Sequence, residues 1–175
     1  MTACEAGQTE VIESIIDGAE DTARHKLLEY TCQTGSPLHA AITGQKPLET
    51  VQLLIDKYEA ISVDDAEPDY IEKMLNLKDE SQIHPLFLAV FQGNVDVTKL
   101  LLAQGAEPEA ASDPNGVTLL HICAERGYKE LAQMICQAAP RLIFQGDSDG
   151  NTAMHVVCDW DYIEILKTFC ENIDS

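Results

Sequence analysis

Basic residues are scarce in this chain. Lys and Arg together number 11 among 175 residues, against 30 Asp and Glu, for a formal charge of −19. The cationic surface that releases counterions from a phosphate backbone is missing, which excludes nucleic acid as a partner. An anionic membrane surface would be repelled for the same reason. The acidity favours a basic partner and raises its on-rate, or it serves solubility alone. Aromatics are only 6% of the residues, so the core is to be built from Leu, Ile, Val, Ala and Cys. The six cysteines (Cys4, Cys32, Cys123, Cys136, Cys158 and Cys170) include no C-x-x-C pair, which argues against a zinc ribbon or a redox motif. The start, MTACEAGQTE, has no basic segment followed by an apolar one, so no signal peptide is read. No apolar run reaches transmembrane length. Reduced cysteines without a leader point to the cytoplasm or nucleus. There is no Gly-rich phosphate loop, no G-x-S-x-G and no H-E-x-x-H. No catalytic residue, metal or cofactor is therefore expected.

What is present is a repeat. HPLFLAVFQGNVDVTKLLL from His84, TLLHICAERGYKELAQMIC from Thr118 and TAMHVVCDWDYIEILKTFC from Thr152 align without gaps, their starts 34 residues apart. SPLHAAITGQKPLETVQLLI from Ser36 aligns with one extra residue, and EAGQTEVIESII from Glu5 matches only the later part of the unit. Each unit reads as two short helices around a turn. Ser36, Thr118 and Thr152 are candidate caps of the first helix, and Pro37 and Pro85 stand at its first position, where a missing N–H costs nothing. Gly93 and Gly127, with Gly7 in the partial unit, fall where a left-handed C-cap is needed. Gly44 lies one place earlier, and the last unit has Asp161 there. An acid follows three residues later (Glu10, Asp96, Glu130, Glu164, with Glu49 in the gapped unit), favoured in the first turn of the second helix by the helix dipole. That helix repeats an apolar stripe at i, i+4 and i+5: Val11, Ile15, Ile16; Val97, Leu101, Leu102; Leu131, Ile135, Cys136; Ile165, Phe169, Cys170. Phase then explains the cysteines: Cys123, Cys136, Cys158 and Cys170 all fall on core positions.

His39, His121 and His155 also recur at one phase. Stacking would hold them a repeat apart, too far to share an ion whose ligand bonds are roughly 2 Å. Asp147-Ser-Asp-Gly-Asn151 begins like a calcium loop, but Thr152 and Cys158 occupy the places that need glycine and glutamate.

SPLHAA, TLLHICA and TAMHVVC, each before a turn and an apolar helix, resemble the opening motif of the ankyrin-repeat family. Asp113-Pro-Asn-Gly116 and Asp147-Ser-Asp-Gly150 match the family's hairpin before that motif, and Gly105-Ala-Glu-Pro108 matches its start. The resemblance covers nearly the whole chain. It implies an all-α solenoid of helix pairs linked by β-hairpin-like loops, and a structural histidine bonded to neighbouring backbone. Five units are expected in a single domain over residues 1–175: a partial one at 1–30, then 31–78, 79–112, 113–146 and 147–175. The third unit departs from the pattern. His84 replaces its threonine, Phe87 its histidine and Gln82 its hairpin glycine. The second is stretched by an acidic insertion at 59–73, EAISVDDAEPDYIEK, either a longer helix with an acidic loop or a specialised contact arm. Solenoids need polar end units, and the partial first unit suggests a piece cut from a longer protein, with further repeats or domains beyond it.

The resemblance places partner contacts on a concave face made of hairpin tips and exposed sides of first helices. Carried over by phase, these are Thr43 and Gly44, Phe91 and Gln92, Glu125 and Arg126, Asp159 and Trp160. Ser81, Asn115 and Asp149 lie at the hairpins, and Tyr128 and Tyr162 follow the turns at the rim. Phe91 and Trp160 are exposed aromatics among polar neighbours, the usual form of an anchor. Trp160, between Asp159 and Asp161, suits an Arg or Lys laid on its ring; otherwise it seals the end of the last helix pair. The expected function is non-catalytic docking of a basic protein or peptide. Alternatives are a methyl-lysine reader walled by Phe91, Tyr128, Trp160 and Tyr162, a regulatory or adaptor domain of a larger enzyme, channel or scaffold, and a self-assembling piece.

Overall fold

A computed structural model describes residues 35–64 and 70–173. The partial first unit, with Cys4, Gly7, Glu10, Val11, Ile15 and Ile16, lies outside the described residues, as does Cys32 at the start of the second. The chain divides into two compact units, 1–80 and 81–175. The described residues are mostly helical and contain no strand; isolated bridges, Ser112–Thr118 and Gly146–Thr152 among them, mark hairpin positions.

In the first unit, α1 (Pro37–Thr43) packs on α2 (Pro47–Asp64), and α2 on α3 (Tyr70–Asn76). Val51, Leu54, Ile55 and Tyr58 form the buried stripe of α2 and join Leu38, Ile42, Met74 and Leu75 in a shared core. The acidic insertion is thus partly helical. It lengthens the second helix to 18 residues and ends in a helix of its own, while residues 65–69 lie outside the description. Gly44 is extended at φ −75°, not left-handed, because Gly44–Lys46 runs directly into the proline that opens α2. Thr43 closes α1 instead, its hydroxyl donating to the carbonyls of His39 and Ala40 at 3.2 and 3.1 Å.

The second unit holds three helix pairs: α4 (Pro85–Phe91) with α5 (Val95–Ala103), α6 (Leu119–Arg126) with α7 (Lys129–Ala138), and α8 (Ala153–Trp160) with α9 (Ile163–Asn172). A 3-10 helix, Pro140–Phe144, follows α7. First helices form one layer, α4 on α6 on α8, and second helices another, α5 on α7 on α9. The interfaces are the stripes read from the sequence: Val97 and Leu101, Leu131, Ile135 and Cys136, and Ile165 and Phe169 are all buried. Each large side chain so removed from water contributes about 1.5–3 kcal/mol.

The turns repeat as well. Gly93 and Gly127 are left-handed, at φ 71° and 72°, and a Cβ at either would strike the ring of Tyr128 or Tyr162, respectively, from the next pair. Asp161 takes the same conformation at φ 58°, and Gln82 holds φ 62° where a hairpin glycine was expected. At the hairpins, Asp113 Oδ1 accepts from the N–H groups of Asn115 and Val117 at 2.9 and 2.8 Å. Asp147 Oδ1 does the same for Asp149 and Asn151 at 3.0 and 2.9 Å, so this carboxylate is engaged by its own turn and not by a calcium loop. Ser148 N–H donates to Asn115 O at 2.8 Å, which holds successive hairpins in step.

Candidate interaction face

His121 clamps one pair to the next. Thr118 N–H donates to His121 Nδ1 at 3.1 Å, which makes Nδ1 an acceptor and leaves the ring hydrogen on Nε2. Nε2 then donates to the carbonyl of Asn151, 30 residues on, at 2.8 Å. His39 and His155 meet their caps in the same way, Ser36 N–H at 3.2 Å and Thr152 N–H at 3.1 Å. His39 and His121 are buried while His155 is exposed. Among the described residues no group of His, Cys, Asp and Glu could hold a metal ion.

The cysteines need a correction. Cys123 and Cys136 are core residues, and burial holds both thiols in the neutral form, pushing Cys136 up to about 12 and Cys123 further in the same direction. Cys158 and Cys170, expected in the core by phase, are exposed. Their counterparts Ala124 and Cys136 are covered by the following helix pair, and among the described residues no pair packs over α8 and α9. Phase identifies the face on which a side chain sits; a neighbour must still cover it.

At the C-terminal ends of the first helices, Phe91, Gln92, Glu125, Arg126, Asp159 and Trp160 are all exposed. Phe91 is 41% open, and its ring stacks on that of buried Phe87 one turn earlier, with centroids 6.4 Å apart and planes 15° from parallel. The Arg126 guanidinium lies over the Phe91 ring, its Cζ 4.0 Å from the centroid. A cation in the last turn of α6 suits the helix dipole, and an exposed cation–π contact adds about 0.5–1 kcal/mol. Trp160 is 57% open and makes no ring or cation contact among the described residues.

Ser81, Asn115 and Asp149 are exposed at the hairpins. Tyr128 and Tyr162 serve stacking, each with its ring against the turn glycine of the preceding pair. On the side of the second helices, Glu164 accepts from Lys167 at 2.8 Å and from Lys129 at 3.1 Å, and the two ammonium groups hold its carboxyl below the usual range. Sequence reasoning missed Phe144, 64% open in the 3-10 helix, and Ile163, 55% open at the start of α9. Pro140 before a short apolar string was the available signal for Phe144; Ile163 stands where the earlier pairs have Val95 and Lys129, a position phase leaves undecided.

Helix pairs in two layers, tied by buried apolar stripes, ordered hairpins and the His121 clamp, define a repeat protein that presents a surface to other proteins. The profile of ankyrin repeats (3 copies) matches residues 66–142 and 86–175, and the chain belongs to the ankyrin-repeat family, whose repeats are protein–protein interaction modules. Among curated relatives, NF-kappa-B inhibitor zeta of Bos taurus and of Homo sapiens are each 29% identical over 161 residues, 90% of this chain and 20% of theirs. The transient receptor potential cation channel subfamily A member 1 homolog of Caenorhabditis elegans is 31% identical over 94 residues, 54% of this chain and 8% of the channel. The chain thus spans a fifth or less of these relatives' length. Among the described residues no helix is long and apolar enough to cross a membrane.

Proposed function

We propose that the chain docks a basic protein or peptide on the concave face running from Phe91 to Trp160, with its repeats forming one continuous domain in the cytoplasm or nucleus. The observation that carries this reading is the open indole of Trp160, without a ring or cation partner among the described residues, between two exposed carboxylates, Asp159 and Asp161. That setting receives an Arg or Lys by charge and cation–π attraction together. The net charge of −19 supports steering of such a partner. The name shared by relatives that align with 90% of the chain suggests the role, inhibition of a transcription factor of the NF-kappa-B kind. The channel relative keeps a regulatory domain of a larger protein as the second reading. A methyl-lysine cage is less well supported, because the chain's own Arg126 already lies on Phe91 and both tyrosines pack on turn glycines.

Isothermal titration with purified NF-kappa-B tests the role, and Trp160→Ala tests the face. Truncation of an anchor should weaken binding by roughly 2 kcal/mol or more with little change in melting temperature. Binding should also weaken with added salt, since screening at about 0.15 M acts over about 8 Å. Full affinity of Trp160→Ala, or binding indifferent to salt, would count against the reading.

A further inference from the structure

We propose that Arg126, held on the ring of Phe91, is the point at which this face reads a carboxylate, the side chain of an Asp or Glu in the bound polypeptide. The inference rests on the interaction face above and names one chemical feature of its partner.

Three observations converge on it. The first is that the guanidinium is already positioned. It lies 4.0 Å from the centroid of Phe91, whose ring is itself backed by buried Phe87. A long side chain parked on a rigid aromatic stack loses less freedom when it then engages a ligand. The second is that its hydrogen-bonding capacity is unused. A ring contact occupies the flat face of a guanidinium and leaves the N–H donors around its edge open. Among the described residues Arg126 makes no hydrogen bond or ion pair; its guanidinium rests on the Phe91 ring alone among aromatic rings. Exposed Lys129 and Lys167 hold Glu164 and Lys46 holds Glu49, whereas Lys78, Lys99 and Arg141, like Arg126, have no acid partner among the described residues; of these only Arg126 lies on an aromatic ring. The third is placement. Arg126 shares the exposed helix ends with Phe91 and Trp160.

A planar fork with open N–H groups pairs with an oxyanion, and a carboxylate accepts two such bonds side by side. The surroundings choose between anions. A phosphate brings nearly two negative charges into a chain at −19, with exposed Glu125 next along the helix, whereas a carboxylate brings one. The partner is therefore mixed in charge: basic overall, and acidic at the single point that meets Arg126.

The test selects a phage-displayed random-peptide library on the immobilised full chain. Peptides that lose binding to Phe91→Ala and Trp160→Ala are kept, and their affinities are measured by fluorescence anisotropy. The expected result is a shared Asp or Glu at one position, whose replacement by Ala weakens binding about tenfold or more, as for a charge-assisted pair. Arg126→Gln should match that loss. Arg126→Glu should lose binding, with recovery when the peptide's acid is changed to Lys. Melting temperatures of both variants should fall only by the few degrees that loss of an exposed cation–π contact entails, and Arg126→Gln alone suffices if Arg126→Glu folds poorly. Selected peptides with no shared acid, or no recovery on charge exchange, would overturn the assignment of Arg126 while leaving the face intact. Tighter binding of phosphoserine than of glutamate at that position would overturn the carboxylate assignment. If no peptide depends on Phe91 and Trp160, both the face and this inference fall.

Discussion

His121 and His155 stand at the same place in the same motif, yet their loss should cost very different amounts. In His121→Ala the Nε2 donor to Asn151 O and the Nδ1 acceptor for Thr118 disappear together. Each such bond contributes about 1 kcal/mol net, and a buried N–H left without a partner costs about 1–3 kcal/mol more. Thr118 is fully buried, so water cannot easily replace the ring. The sum is about 3–5 kcal/mol, a large fraction of the roughly 5–15 kcal/mol that holds a domain folded. His155→Ala removes the same contact to its own cap, Thr152 N–H at 3.1 Å, but the ring is exposed and solvent can take over. About 1 kcal/mol is expected there. Urea unfolding at neutral pH measures both, and comparable denaturant slopes would show that the folded and unfolded states have not changed in kind. Equal losses for the two variants would refute the reasoning, because they would mean that the cap contact alone, and not the bond to the next unit, sets the value of this histidine.

The turns offer a stabilising change. Asp161→Gly relieves a left-handed residue at φ 58° and should raise stability by about 0.5–1 kcal/mol. Gly127→Ala, which forces a Cβ to within 2.9 Å of the Tyr162 ring, should lower it by about 2 kcal/mol; opposite signs in thermal melts are the check. In a background with Cys4 and Cys32 changed to serine, a maleimide should label exposed Cys158 and Cys170 quickly and reach Cys123 and Cys136 only after denaturation. Fast labelling of Cys123 would contradict its burial. Asp147 carries a pH signature, because the N–H groups of Asn151 and then Asp149 hold its carboxyl below the ordinary range. A depressed folded value means the stabilisation is complete above the unfolded value, about 3.9, and is lost as pH falls through the lower one. The gap in melting temperature between wild type and Asp147→Ala should therefore stay constant near neutrality and close only in acid below that value.

The fold was legible because it is local and repeated. Caps at Ser36, Thr118 and Thr152, acids at Asp96, Glu130 and Glu164, and stripes such as Leu131-Ile135-Cys136 each declare a helix within a few residues, and their recurrence at 34 declares the stack. The exposed helix ends from Phe91 to Trp160 were legible for the same reason, since a helix pair buries one side of each member and leaves the other. Tertiary structure decided what phase cannot. Phase names the side on which Cys158, Cys170 and His155 sit, but burial requires a neighbour, and these three are open where their counterparts Ala124, Cys136 and His121 are covered. The rings of Tyr128 and Tyr162 went to turn glycines one unit back, and Arg126 crossed to the ring of Phe91, contacts over about a repeat length that no pattern within a single unit contains. Sequence by itself determined the helices, their order and which faces meet; only the packed structure decided which side chains those faces cover, because covering is a property of two elements and not of one.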